Sequence, residues 1–388
     1  LHIPVYQTKN SLHPVLAFPS DDYYGLLSNG EGGDLIGSLE VAVGRLPVRN
    51  TMEANNVVNK IINYDTNTNK FGPWRSHVIL SADDEDGNLH VIQADRLAQR
   101  IEQNTPEFLV FKKYLDAYNQ ISTPAGQRYP NVNFEINNAM NQGALAFCYL
   151  GHGGPSGLAE ERVVQVADIM SWQNMHNLPV MVTATCSFTG FDNPKNVSAG
   201  EIAILSDKGG AIALFSTVRA VYASENERIT NSVFNFMLPQ DKSAPKTLGD
   251  IFLSAKNFQR FDTISANTRK FGLFGDPGQI IAVPQYDLGI DSINGISVEE
   301  FKDTISAFER IRLKGSVSDG NGLKSNFSGR IFITVYDKPS RLSTLVNDQG
   351  NSNKFNFEQY RNIIFKGQAS VTNGQWSTEF IIPADINY

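Results

Sequence analysis

Two runs in this chain, ALAFCYL at 144–150 and PVMVTAT at 179–185, are apolar at nearly every position. A strand with one face in water alternates apolar and polar residues. One that does not alternate is covered on both faces, as in parallel sheets flanked by helices. Around these runs, up to about residue 285, short apolar stretches alternate with amphipathic helical patterns. Strands are expected at 39–46, 77–81 and 211–215. Thr51 can cap a helix through Val57, Val58, Ile61 and Ile62, and a second helix carries Ile92, Leu97 and Ile101. Further helices are expected at 166–170, 201–205, 224–238 and 247–260. Strand–helix alternation of this kind predicts a doubly wound, mostly parallel α/β sheet.

After Pro284 the texture changes. Gly-Asn, Asp-Gly, Asn-Gly and Lys-Pro pairs punctuate short β-rich runs, and residues 375–382 alternate in polarity. Turn signals between short strands predict a small antiparallel sandwich. The expected domains are therefore 1–285 and 286–388. The chain opens on Leu1-His2-Ile3-Pro4, without Met or a signal peptide, and stops close behind a strand. It reads as a piece of a longer protein, trimmed at both ends. The 388 residues carry 33 basic and 40 acidic side chains, a net charge of −7, with no Lys/Arg patch to hold a phosphate backbone. Nucleic acid is not an expected partner. No apolar run reaches the ~20 residues of a membrane helix, so no transmembrane segment is expected.

Chemistry concentrates where the two apolar runs end. One leads into Gly151-His152-Gly153-Gly154, the other into Cys186-Ser187-Phe188. In an open α/β sheet, ligands bind at the carboxyl ends of the strands. A histidine and a cysteine on neighbouring strand ends would share that crevice as base and nucleophile. Read alone, the glycine-rich turn could equally be structural or a phosphate cradle, and Cys186 a small buried hydrophobe. A disulfide between Cys148 and Cys186 is disfavoured. Cys148 lies four residues before the histidine, roughly 13 Å down its strand at ~3.3 Å per residue, beyond the reach of a bridge. It reads as core.

At these residues the sequence resembles the gingipain family of cysteine peptidases, family C25. The shared stretches are SDDYYGLL at 20–27, VGRLPV at 43–48, LGHGG at 150–154, ATCSF at 184–188, the GGAIALFSTVRAVYAS run from 209, and FGDP at 274–277. Beyond these, VYDKP at 335–339, TLVND at 344–348 and PADINY at 383–388 resemble the subgroup of C-terminal signal peptidases, the sortases of type IX secretion.

The resemblance implies a caspase-like catalytic domain followed by an immunoglobulin-like β-sandwich. It implies Cys186 as nucleophile, His152 as general base and acid, and the N–H groups of Gly153 and Cys186 as oxyanion hole. Asp83, ending a Ser-Ala-acid motif, is the expected orienter of His152, with Asp84, Glu85 and Asp86 crowding the same loop. Thr217, Arg219, Tyr222 and His90 are the expected pocket residues. Arg-specific gingipains place an aspartate near the position of Asn88-Leu89-His90-Val91, where this chain has no carboxylate. An arginine side chain of a substrate would lack its partner.

No cofactor is expected for the chemistry. Asp21 and Asp22 are candidate ligands of a structural calcium ion, since clustered carboxylates suit a hard cation. The implied partners are protein substrates bearing C-terminal secretion domains and other type IX components. The implied location is the bacterial surface, associated with the outer membrane. A catalytically inactive scaffold recognising export cargo is the alternative, and a carbohydrate-binding adhesin using Trp376 a third.

Overall fold

The computed structural model describes residues 3–10, 12–13, 15–66, 71–238, 245–258, 265–348, 350, 353–384 and 386. Leu1 and His2, the 259–260 end of an expected helix, and Asp385, Asn387 and Tyr388 of the PADINY motif lie outside them. The chain divides into two compact units, Leu1–Val283 with Ser343–Phe355, and Pro284–Leu342 with Asn356–Tyr388.

The first unit is built on a seven-stranded sheet. Its strands are β1 (Gly44–Arg45), β2 (His77–Ala82), β3 (Leu109–Tyr114), β4 (Ala146–Leu150), β5 (Val180–Ala184), β6 (Ala213–Thr217) and β7 (Phe271–Phe274). The spatial order is β1-β7-β6-β5-β4-β2-β3. Only the β6–β7 pair runs antiparallel. The helices are α1 (Thr51–Thr66), α2 (Leu89–Asn104), α3 (Pro130–Gln142), α4 (Val166–Ser171), α5 (Ala199–Leu205), α6 (Ala223–Met237) and α7 (Leu248–Phe258), with one short further turn before β7.

The unalternating runs behave as their composition requires: every residue of β4, β5 and β6 is buried. Strand order reverses between β2 and β4, because the chain moves outward to β3 and then returns to build the other side. In a doubly wound sheet that reversal opens a crevice at the carboxyl ends of the strands. The run at 39–46 forms a strand only at Gly44–Arg45. A Cβ on Gly44 would come within 2.5 Å of the Gly275 carbonyl oxygen, so the chain passes too close to its neighbour there for any other residue.

In the second unit, β9 (Arg310–Asp319) pairs with β8 (Asp287–Ile293) and with β12 (Gln375–Ile381), while β10 (Gly329–Tyr336) pairs with β11 (Ile363–Thr372). Strands β11 and β12 share only two rungs beside their turn, Val371↔Trp376 and Thr372↔Gln375. These rungs join β8–β12, with the short pieces Ile296–Ser297 and Gly322–Leu323, into one seven-stranded antiparallel sheet. Ile311, Leu313, Val317, Ile331, Val371, Trp376 and Phe380 form the buried apolar cluster of the unit, and Phe365 stacks on Phe380 at 4.2 Å. The unit is antiparallel β as expected, and its strands belong to one hydrogen-bonded sheet where two separate sheets were expected.

Candidate active site

One rung of the main sheet sets the geometry. Ala82, Leu150 and Ala184 are register partners at the last paired positions of β2, β4 and β5. His152 and Cys186 each lie two residues past that rung, on strands about 4.8 Å apart. The acidic loop 83–86 leaves the same rung from β2. Three neighbouring strand ends, at the reversal point of the sheet, thus deliver a carboxylate loop, an imidazole and a thiol to one crevice.

The main chain at His152 is held from both sides. Its N–H donates to Asp83 Oδ2 at 2.7 Å, and its carbonyl accepts from the Tyr149 hydroxyl at 2.8 Å and the Ala159 N–H at 3.0 Å. Gly151 makes this possible. A Cβ there would lie 2.4 Å from Asp83 Cβ, and its φ of +155° lies outside what side chains tolerate. Gly153 packs as tightly, with Thr185 Oγ1 2.7 Å from where its Cβ would be.

Asp83 therefore reaches His152 through the backbone, whereas the expected contact was to the ring. The ring meets other acids of the loop: Nε2 lies 3.0 Å from Asp86 Oδ2 and 3.5 Å from Glu85 Oε2. The reason lies in the turn after Asp83. Asp86, Gly87 and Asn88 all adopt left-handed φ values of 57°, 66° and 69°, folding Asp86 back over the imidazole. Asp and Asn tolerate that region better than other side chains do. With Nε2 facing Asp86, Nδ1 is the nitrogen that can address a thiol.

Behind this pair, Asp83, Asp84 and Glu161 bring three buried carboxylates within 4.8 Å of one another. Burial first, and the neighbouring charges second, raise all three pKa values, that of Glu161 to about 7. Asp83 is held far above the ordinary carboxylate range. Glu161 had no signal in the sequence, standing in a loop without motif or periodicity.

These environments predict opposite outcomes for two conservative changes. Asparagine is a near-isostere of the buried Asp83, whose pKa burial raises, and it still accepts the His152 N–H. Asp83→Asn should change kcat/KM by less than about 3-fold, and Asp86→Asn should lower it by roughly 10- to 100-fold, chiefly in kcat. Steady-state kinetics on both variants, with melts as a folding check, decide the assignment. A silent Asp86→Asn beside a damaged Asp83→Asn would return the orienting role to Asp83.

Cys186 is half-buried, and Cys148 is buried; neither is bridged. Cys148 is the register partner of Val182, four positions from Cys186, as the strand arithmetic requires. Burial pushes its thiol pKa up, so it stays protonated and inert. The Cys186 sulfur accepts the Val221 N–H at 3.5 Å. The adjoining Tyr222 ring is 59% exposed and free to meet a substrate, and its N–H is fixed on Asn267 Oδ1 at 2.7 Å.

The other expected pocket residues are placed differently. Thr217 is fully buried, and its hydroxyl donates to the Thr185 carbonyl, bracing the strand that carries Cys186. The Arg219 guanidinium is paired at both ends with Asp192, at 2.8 and 2.5 Å, so its charge is already matched within the chain. His90 is buried in the first turn of α2, its ring edge-on to that of His152 at 5.4 Å. Burial and the neighbouring His152 lower its pKa. A cleft of about 550 Å³ opens beside His152 instead, lined by Gly153, Gly154, Ser156, Gly157, Glu160 and Gln165 among others.

Asp21 and Asp22, the expected calcium ligands, are taken up by protein cations. Arg45 grips Asp21 with contacts of 2.5 and 2.6 Å. Asp22 receives Lys256 at 2.6 Å and Arg269 at 3.0 Å. The sequence could not show this, because the partners stand more than 200 residues away from Asp22.

An open α/β sheet with a histidine and a cysteine on adjacent strand ends defines a cysteine-type peptidase of caspase-like fold. The chain belongs to peptidase family C25, whose family model matches residues 2–279. Its fold is similar to that of the Arg-specific cysteine proteinase gingipain R (RGPB), at 16% identity and a TM-score of 0.57, covering 95% of this chain and 73% of that one. The Porphyromonas gingivalis RgpB pro- and mature-domain complex gives 15% identity and a TM-score of 0.56, covering 95% and 75%. Dimeric latent PorU from Porphyromonas gingivalis is 26% identical, with a TM-score of 0.36; this chain is covered over 99% and spans 30% of that one. No curated protein matches. Among the described residues, no helix is long and apolar enough to cross a membrane.

Proposed function

We propose that this C25 peptidase cleaves through a Cys186–His152 dyad and acts as a PorU-type C-terminal signal peptidase. It would remove the C-terminal secretion domain from proteins exported by the type IX system. The observation that carries the catalytic part is the shared rung Ala82–Leu150–Ala184, which sets both groups two residues out on adjacent strands. The substrate class is supported by the motifs shared with the signal-peptidase subgroup.

In this mechanism His152 Nδ1 takes the thiol proton and Sγ attacks the scissile carbonyl. The N–H groups of Gly153 and Cys186 stabilise the oxyanion. His152 returns the proton to the leaving amine, giving a thioester on Cys186. Water then releases the acid and regenerates the thiol. If the amine of a surface glycolipid attacks instead, the same thioester transfers the protein, as in sortase chemistry. The enzyme would work at the bacterial surface beside other type IX components, with the second unit as an immunoglobulin-like support.

The test is incubation of wild type and Cys186→Ala with an export substrate, followed by mass spectrometry of the new carboxyl terminus. A product formed equally by both proteins would remove Cys186 from the reaction. Specificity is expected to exclude Arg and Lys at the cleaved position. Over 88–91 the side chains are Asn, Leu, His and Val, with Asn88 donating to the Asn353 carbonyl at 2.8 Å and His90 buried. A fluorogenic peptide library reads this directly. Strong preference for arginyl substrates would mean that another acid lines the pocket.

A further inference from the structure

We propose that Asp86, His90 and His152 form a binding site for a transition-metal dication of the zinc type, and that its occupation switches the peptidase off. Each of the three residues offers one ligand atom, a ring nitrogen or a carboxylate oxygen, within 4.8 Å of the other two. Asp86 Oδ2 is 3.3 Å from His90 Nε2 and 3.0 Å from His152 Nε2. Zinc–nitrogen bonds of 2.0–2.1 Å in tetrahedral geometry put neighbouring donors roughly 3.3 Å apart. Both carboxylate–imidazole spacings fit.

A second observation concerns His90 alone. It is only 4% exposed, yet its Nε2 has no hydrogen-bond partner among the described residues, with Asp86 Oδ2 3.3 Å away. A buried polar atom left unsatisfied is costly, and a metal ion would satisfy it. Access is open, since the Asp86 and His152 side chains are 50% and 44% exposed. Two imidazoles and one carboxylate select zinc or a similar borderline ion over calcium and magnesium, which prefer all-oxygen shells. Water would complete the shell.

The consequence for activity rests on His152 as the base; the binding site itself does not. A metal ion on Nε2 takes that nitrogen's lone pair and leaves the proton on Nδ1. The ring then has no lone pair to accept the proton of Cys186. Binding transfers no electron, and a protonated imidazole releases its proton to solvent.

The experiment must separate this site from a metal held by the thiol. Zinc is titrated calorimetrically into Cys186→Ala, then into the same protein with His90→Ala, His90→Gln or Asp86→Asn, each first shown to fold by thermal melt. One ion per chain should bind Cys186→Ala. Loss of any one ligand should weaken it by more than about 100-fold, beyond the 10- to 100-fold cost of an outer-shell partner. Two histidine variants are used so that one unstable protein does not decide the matter. Cobalt(II) bound to the wild type should show no thiolate charge-transfer band. Binding that vanishes in Cys186→Ala, or that ignores both His90 substitutions, overturns the site. If zinc binds as described but does not inhibit an active wild type, the site stands and the role of His152 as base fails.

Discussion

Replacing Cys186 with alanine is expected to abolish peptide-bond cleavage, by at least about 10⁴-fold, without unfolding the protein. The thiol is half-buried at a strand end, and its polar contacts are to one residue, the N–H and carbonyl of Val221 at 3.5 and 3.8 Å. Removing a single sulfur there leaves little cavity, and stability should change by less than about 1 kcal/mol. Cys148→Ser should behave in the opposite way. Its side chain is fully buried in β4, so a hydroxyl in that place costs about 1–3 kcal/mol while activity per folded molecule is kept. Alkylation gives an independent reading. Near pH 6 the native protein should label at Cys186 only, and Cys148 should react only after unfolding. A Cys186→Ala protein that cleaves at the wild-type rate would dissolve the dyad.

How far the sequence shows such a site depends on which physical signals are local. Strands β4 and β5 were legible because burial on both faces removes alternation, and the nearness of His152 to Cys186 followed because parallel register carries both strand ends to the same height. Strand β3 went unread. It alternates because it is an edge, and its Lys112 is buried against two acids of α2, Asp95 at 2.9 Å and Glu102 at 3.5 Å. Helix α3 went unread too, since Pro130 begins a segment rich in asparagine whose apolar stripe is thin. The loop Ser343–Phe355 stands among strands of the second unit in sequence yet packs in the first unit, where the Val346 and Asn347 N–H groups donate to Asp116 at 3.1 and 2.8 Å. The strand-end motif led to Asp83 as the partner of the imidazole. What moved that contact to Asp86 was a turn of three left-handed residues, which residue types permit but do not announce.

The same limit governs the other large effect expected here, the collapse of stability in Asp22→Ala. Two aspartates before two tyrosines read locally as a cation site, and cations do meet them, from elsewhere in the chain. Lys256 is fully buried, and its Nζ lies 2.6 Å from each Asp22 oxygen and from the Phe271 carbonyl. Arg269, 2% exposed, adds a contact of 3.0 Å. One carboxylate thus serves two cations beneath the β7 end of the sheet. Deleting it strands both charges out of water, a change that costs about 3–5 kcal/mol when a buried pair is broken from one side. That approaches the whole stability of many domains. Lys256→Met in the same protein should restore part of the loss, because an apolar chain of similar length needs no partner. The pH dependence carries a sign that a cavity would not produce. Burial lowers the Lys256 pKa to about 8 even with Asp22 present, whereas an unfolded lysine titrates near 10.4. Between those values the unfolded chain binds more protons, so stability rises with pH. Without Asp22 the lysine pKa falls further and the window widens downward. The deficit of Asp22→Ala should therefore narrow from pH 7 to pH 10, without closing, since Arg269 stays charged. Denaturant melts of wild type, Asp22→Ala and Asp22→Ala/Lys256→Met across that range measure it. A deficit independent of pH, or one that Lys256→Met deepens, would mean that Asp22 supports the fold by packing and not by charge.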